Sequence, residues 1–249
     1  MAEQEKKPKF GESFTSFLGA VLLILSIRWL LFEPYVIPSG SMIPTLLIQD
    51  HILVNKLAYG VRLPFTKKWI WHRDSPKRGE IIVFRSTGPE EEYFMIKRII
   101  GVPGDSLEVK EGGQLVINGE PVPRDPIEVN STSPQTGYYK VTEQDLGGAF
   151  EMFNFYEESL GKAKFRVMQI KDAFRYGQDR FVIPENHVFM MGDNRDNSKD
   201  SRFWGPLPEE NILGRATYVW LSCEETLSIA PFLCNPMTLR WKRFFHEIK

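Results

Sequence analysis

The stretch YFMIKRIIGVPGD, Tyr93–Asp105, alternates in a way only a strand exploits: Tyr93, Met95, Lys97 and Ile99 share one face, while Ile96, Arg98 and Ile100 share the other. Gly101 and Pro103-Gly104 close the run with turn residues. Two adjacent cations therefore enter an apolar strand from opposite sides. Arginine keeps its proton in any protein environment, but lysine releases its own when desolvated. At the reference pKa of about 10.4, fewer than roughly one lysine in a thousand is neutral at pH 7, and burial lowers that pKa by up to several pH units. Lys97 is thus a candidate general base; the plain alternative is a strand lysine that snorkels to water. Lys56 and Lys110 are weaker candidates, the latter beside Gly112-Gly113 in a solvated turn.

Strand patterns continue on both sides. HILVNKLAYG (51–60), GEIIVFRS (79–86), KFRVMQI (164–170), RFVIPENHVFMMGDN (180–194) and RATYVWL (215–221) are apolar runs bounded by turn residues. QLVINGEPV (114–122) carries Asn-Gly between apolar runs, the strongest short-range hairpin signal. These patterns predict a mainly β, β-rich domain. Residues 124–180 are more polar and irregular, with VNSTSPQTGYY (129–139) as a loop, and predict an inserted β elaboration over about 106–182. The 249 residues carry a formal net charge of -1, which offers no basic face to nucleic acid.

Residues 13–27, SFTSFLGAVLLILSI, contain no charge, and apolar character lasts to Phe32. As a helix, Phe14–Phe32 spans about 28 Å, against roughly 30 Å of bilayer hydrocarbon. Glu33-Pro34 follows in place of a small-x-small cleavage site, so the segment reads as an uncleaved anchor. Lys6, Lys7 and Lys9 precede it and the next basic residue after Arg28 is Lys56, which directs the amino terminus to the cytoplasm. The organisation expected is a cytoplasmic tail (1–12), a transmembrane helix (13–33) and an extracytoplasmic domain (34–249). That compartment permits a disulfide between Cys223 and Cys234; two packed thiols are the alternative, and no CxxC or HxxxH spacing marks a zinc site. In RWKRFFHEIK (240–249), Trp241, Phe244, Phe245 and Ile248 have helical spacing, which predicts either a closing helix or a basic helix on the membrane surface.

Just beyond the apolar segment, PSGSM (38–42) sets Ser39 and Ser41 around a glycine, with Pro38 and Pro44 on either side. A serine hydroxyl attacks only when a base takes its proton. Of four histidines, His187 lies near Asp193, but no G-x-S-x-G elbow surrounds either serine. A third stretch, GDNRDNSKDSRFWG (192–205), fails as a calcium loop, because either register puts Arg195 or Leu207 at a ligand position. Its balanced Asp and Arg predict an ion-paired turn able to hold Ser198 or Ser201 against a buried amine.

PSGSMIPTL (38–46), DHILVNK (50–56), RGEIIVF (78–84), YFMIKRIIGVPGD and GDNRDNSKDSRFWG together resemble the bacterial type I signal peptidases, or leader peptidases. These are membrane-anchored Ser-Lys dyad serine proteases. The resemblance implies Ser41 as nucleophile and Lys97 as general base, and it implies an oxyanion hole from the Ser41 N–H and the Ser39 hydroxyl. It implies that Ser198 orients Lys97, that Asp193 pairs with Arg98 and Asp200 with Arg202, and that Ile37, Met42, Leu46 and Ile96 line the pockets for small side chains. Expected partners are the signal peptides of preproteins, membrane lipid and the nearby secretion translocon, with no cofactor, no metal and no nucleic acid. The expected place is the bacterial inner membrane, single-pass, with the catalytic domain periplasmic. The chain departs from some members in having one span before the serine, and in carrying His51 where an apolar or small residue is usual. The rival readings are a specialised pilin or conjugation signal peptidase, a self-cleaving regulator, which normally carries a DNA-binding helical domain, and a tethered binding domain without chemistry.

Overall fold

The computed structural model describes residues 10–62, 66, 69–86, 93–129, 141–175 and 177–248. Lys6, Lys7 and Lys9, which set the expected orientation, and most of the 129–139 loop lie outside the described residues. Helix α1, Phe10–Leu30, has 21 residues. Among the described residues no helix is long and apolar enough to cross a membrane. The expected helix over 13–33 ends early, because Phe32 and Glu33 open strand β1 (Phe32–Val36). Pro34 biases the residue before it toward extended backbone, and the pairs Phe32↔Asn55 and Glu33↔Val54 complete the strand.

Eleven further strands frame the molecule. They are β2 (Asp50–Asn55), β3 (Ile81–Arg85), β4 (Phe94–Gly101), β5 (Ser106–Val109), β6 (Leu115–Ile117) and β7 (Arg124–Ile127), followed by β8 (Phe153–Leu160), β9 (Ala163–Ile170), β10 (Gln178–Val182), β11 (His187–Met191) and β12 (Ile212–Ser222). The main sheet runs β1-β2-β12-β3-β4-β11, extended by Leu207–Pro208, with His246–Glu247 added on β12. A second sheet is β10-β5-β6 with Glu120–Pro121, and a third is β7-β8-β9. The Asn-Gly hairpin forms as its sequence requires, with Asn118 and Gly119 both at positive φ, 55° and 85°.

Alternation along β4 divides its side chains among three cores. Ile96 packs with Ile37, Met42, Leu46 and Val83. Ile99 packs with Ile82, Phe84 and Met190, and Ile100 joins Leu107, Phe165 and Phe189 under the second sheet. The hairpin β8–β9 lies close over Gly79, where an added Cβ would meet the Ala163 Cβ at 2.3 Å.

The carboxyl-terminal segment corrects its sequence reading. Trp241–Arg243 is a single 3₁₀ turn, Phe245 takes a positive φ, and His246–Glu247 pairs with β12. Helical spacing is overridden by Arg243, which turns inward to donate to Asp50 Oδ1 at 2.9 Å and to the Thr45 carbonyl at 3.1 Å. Arg243 is buried and Asp50, which also accepts from Leu47 N, is fully so. Breaking such a pair leaves an uncompensated charge, at about 3–5 kcal/mol. Arg243→Met should therefore lower unfolding free energy by about that amount in urea titration, and Asp50→Leu added to it should recover part of the loss. A cost below about 1 kcal/mol would mean the tail is not held this way.

Candidate active site

Gly40–Met42 forms one 3₁₀ turn between β1 and β2, with Ser41 and Met42 buried and Ser39 exposed at its start. Asn194 holds this turn twice, donating from its backbone N–H to the Ser41 carbonyl and from Nδ2 to the Gly40 carbonyl, both at 3.1 Å. Thr45, one residue past Pro44, donates to Asp193 Oδ2 at 2.5 Å. The Ser41 turn and the 192–205 loop are thus one hydrogen-bonded unit.

Into this unit β4 brings Lys97, only 4% exposed. Its Nζ donates to Ser41 Oγ at 2.7 Å across 56 residues of sequence, and to the Ile96 carbonyl at 2.9 Å. Burial pushes the Lys97 amine down from 10.5 to about 8, against the pull of Asp200 and Asp193, which favour its charged form. About a tenth of the amine is then neutral at pH 7, so the serine hydroxyl faces a usable base.

Both carboxylates are already engaged. Arg98, on the strand position beside Lys97, forks onto Asp193 at 2.8 and 2.7 Å, donates to the Gly79 carbonyl at 2.7 Å and lies over the Phe165 ring. Arg202 forks onto Asp200 at 2.8 and 2.9 Å, and Asp200 also accepts from Gly192 N at 2.9 Å. A third pair, Arg195 on Glu158 at 2.7 and 2.5 Å, fastens the loop to β8.

The structure thus brings together Ser41, Lys97, Arg98, Asp193, Asp200 and Arg202. Ile37, Met42, Leu46 and Ile96 fall in a single apolar cluster. Ser198 departs from the implied contact: its hydroxyl is buried and has no hydrogen-bond partner, so it does not hold Lys97 here. Ser201, the alternative, accepts from Met190 N and is committed to the loop. His187 lies half-buried with Nδ1 2.8 Å from the Glu185 carbonyl, while Asp193 serves Arg98. Lys56 and Lys110 are ion-paired to Glu33 and Glu108. Cys223 and Cys234 are bridged, with Cα atoms 5.6 Å apart.

Sequence reasoning missed Asn194, Thr45 and the Arg195–Glu158 pair. Asn194 and Thr45 sit inside stretches already singled out, yet nothing in their spacing distinguishes them from turn-forming neighbours. Glu158 lies in a strand with no motif.

A hydroxyl bonded to an amine that burial discharges is the arrangement of a serine hydrolase whose base is lysine. The family model described as "Signal peptidase, peptidase S26" matches residues 10–221, and the chain belongs to this family of serine endopeptidases. It is similar to the signal peptidase I of Pseudomonas fluorescens, 39% identical over 88% of this chain and 75% of that protein. It is also similar to those of Aquifex aeolicus, 34% identical over 88% and 86%, and Haemophilus influenzae, 32% identical over 100% and 80%.

Gly192 offers a direct test of the geometry. A Cβ there would lie 2.3 Å from Ser198 Oγ and 2.5 Å from the Ser41 carbonyl, so backbone at the nucleophile must move. Gly192→Ala should fold, as judged by circular dichroism, and lose more than about a hundredfold in kcat/KM, the cost of roughly 1 Å of misplacement. Near-normal turnover would show that the turn and loop are not in register as described.

Proposed function

We propose that this protein removes amino-terminal signal peptides from exported preproteins, cutting after small residues of the Ala-x-Ala type, with Ser41 as nucleophile and Lys97 as general base. The observation that carries this is the 2.7 Å contact between Lys97 Nζ and Ser41 Oγ in a buried setting. The neutral amine takes the Ser41 proton as Oγ attacks the scissile carbonyl, then gives it to the leaving amine. A water deprotonated by the same amine hydrolyses the acyl-enzyme. The Ser41 N–H and the exposed Ser39 hydroxyl receive the oxyanion, and a donor of this kind contributes about 3 kcal/mol.

Ile37, Met42, Leu46 and Ile96 share one apolar cluster, and Met42 and Ile96 adjoin Ser41 and Lys97 in the chain, which supports recognition of small apolar side chains beside the dyad. The unpartnered Ser198 hydroxyl, close to Gly192 and thereby to the Ser41 backbone, is available to orient the amine in the reacting complex. The charge-free run 13–27, with Lys6, Lys7 and Lys9 before it, supports a single anchor in the bacterial inner membrane with the amino terminus cytoplasmic. The catalytic domain is then periplasmic, beside membrane lipid and the secretion translocon, where a signal peptide presents its cleavage site.

The test is purified protein in detergent with a preprotein, reading the amino-terminal residue of the product. Ser41→Ala and Lys97→Ala should each reduce kcat/KM by at least about a thousandfold while leaving the fold intact. An intact precursor with the wild-type chain would sink the assignment.

The pH profile tests the base separately. Lys97 works deprotonated, so kcat/KM should rise about tenfold per pH unit up to about 8 and level off above it. A pH dependence retained in Lys97→Ala and abolished in His187→Ala would transfer the role to histidine.

A further inference from the structure

His51, the residue the resemblance leaves unexplained, points its Nε2 at Cys234 Sγ from 3.5 Å, across 183 residues of sequence. Its Nε2 and the two sulfurs of Cys223 and Cys234 all lie within 4.8 Å of one another. His51 and Cys223 are buried and Cys234 partly so. Around them, Trp220 meets the imidazole edge-on at 5.6 Å, and Arg240 donates to the Cys223 carbonyl at 2.6 Å. The proposed reaction uses none of these groups.

We propose that reduction of the Cys223–Cys234 bridge opens a site for a thiophilic divalent cation of the zinc type, ligated by His51 Nε2, Cys223 Sγ and Cys234 Sγ. The donor set is one imidazole and two thiolates, with the fourth tetrahedral position open to water. With Zn–S about 2.3 Å and Zn–N about 2.0–2.1 Å, adjacent tetrahedral corners place nitrogen and sulfur roughly 3.6 Å apart. The His51–Cys234 edge already has that length, 3.5 Å, and Cys223 Sγ, within 4.8 Å of the imidazole, completes the set once the sulfurs separate.

The chemistry is a two-electron exchange followed by proton release. A thiolate of an external dithiol attacks the more accessible Cys234 sulfur, and Cys223 leaves as thiolate. The donor's second thiol then resolves the mixed disulfide, freeing Cys234 and leaving the donor oxidised. Metal binding displaces the remaining thiol protons to solvent. The cation would replace the covalent staple by one that also includes β2. It would keep Arg240 near the Ile48 carbonyl, which it reaches at 3.0 Å in the segment following Ser41.

The experiment uses the full chain in detergent, reduced with a phosphine under argon, freed of reductant and titrated with Co²⁺. Reduced wild type should bind one ion per chain with a thiolate-to-cobalt charge-transfer band that Zn²⁺ abolishes; the oxidised protein should show no band. Cys234→Ser should lose the band, and His51→Ala should weaken binding by more than about a hundredfold, beyond what loss of an outer-sphere partner costs. Retention of no ion by the reduced protein, or an unchanged spectrum and affinity in His51→Ala, would overturn the proposal. Near-ultraviolet circular dichroism guards against binding to an unfolded chain. If reduction unfolds the protein, Zn²⁺ must restore the native spectrum in wild type and not in His51→Ala, and failure to restore it counts against the site.

Discussion

The site depends on keeping Lys97 dry while two carboxylates stand close enough to recharge it. Asp193 and Asp200 both favour the ammonium, and burial, the larger influence, overrides them. Each of these carboxylates is itself paired with an arginine. Arg98 and Arg202 each cover their carboxylate with two parallel hydrogen bonds and cannot give up the proton that makes them effective partners. Desolvation outweighs the attraction of both carboxylates, and the amine settles at about 8.

The same pairs also build the geometry. Arg98 and Lys97 are neighbours on β4, so fixing the arginine to Asp193 fixes the strand position from which the lysine reaches Ser41. Asp193 in turn accepts from Thr45, and Asn194 beside it holds the Gly40 and Ser41 carbonyls. Arg243 reaches the other side of the turn through Asp50 and the Thr45 carbonyl. Polar groups in the interior that are fully satisfied in this way restrict the chain to one arrangement, because each misplacement would leave a buried charge unpaired.

How much of this was legible follows from range. The alternation in Tyr93–Asp105 is local, and it revealed both the strand and the two buried cations. The Asn-Gly hairpin was equally local. Which acid meets which base is not: Arg98 and Asp193 are 95 residues apart, and their pairing came from the family resemblance, not from the chain's own periodicity. The carboxyl-terminal spacing misled because an amphipathic pattern records only which residues are apolar. It is blind to a buried partner such as Asp50, which draws Arg243 out of any helix. Ser198 shows the limit from the other side. Its motif position was readable, but the direction of its hydroxyl was not.

The choice of arginine over lysine at the supporting positions has a consequence for selectivity of protonation. A second lysine beside Asp193 could share or trade its proton with Lys97, and the two would titrate as a coupled pair with no single amine poised near neutrality. Arg98, Arg195, Arg202 and Arg243 remain charged throughout, so each buried carboxylate around the turn keeps a matched partner at any pH the enzyme meets. The strand that buries the amine and the arginines that hold its acidic neighbours act at one place, the first by removing water and the others by fixing where the carboxylates stand.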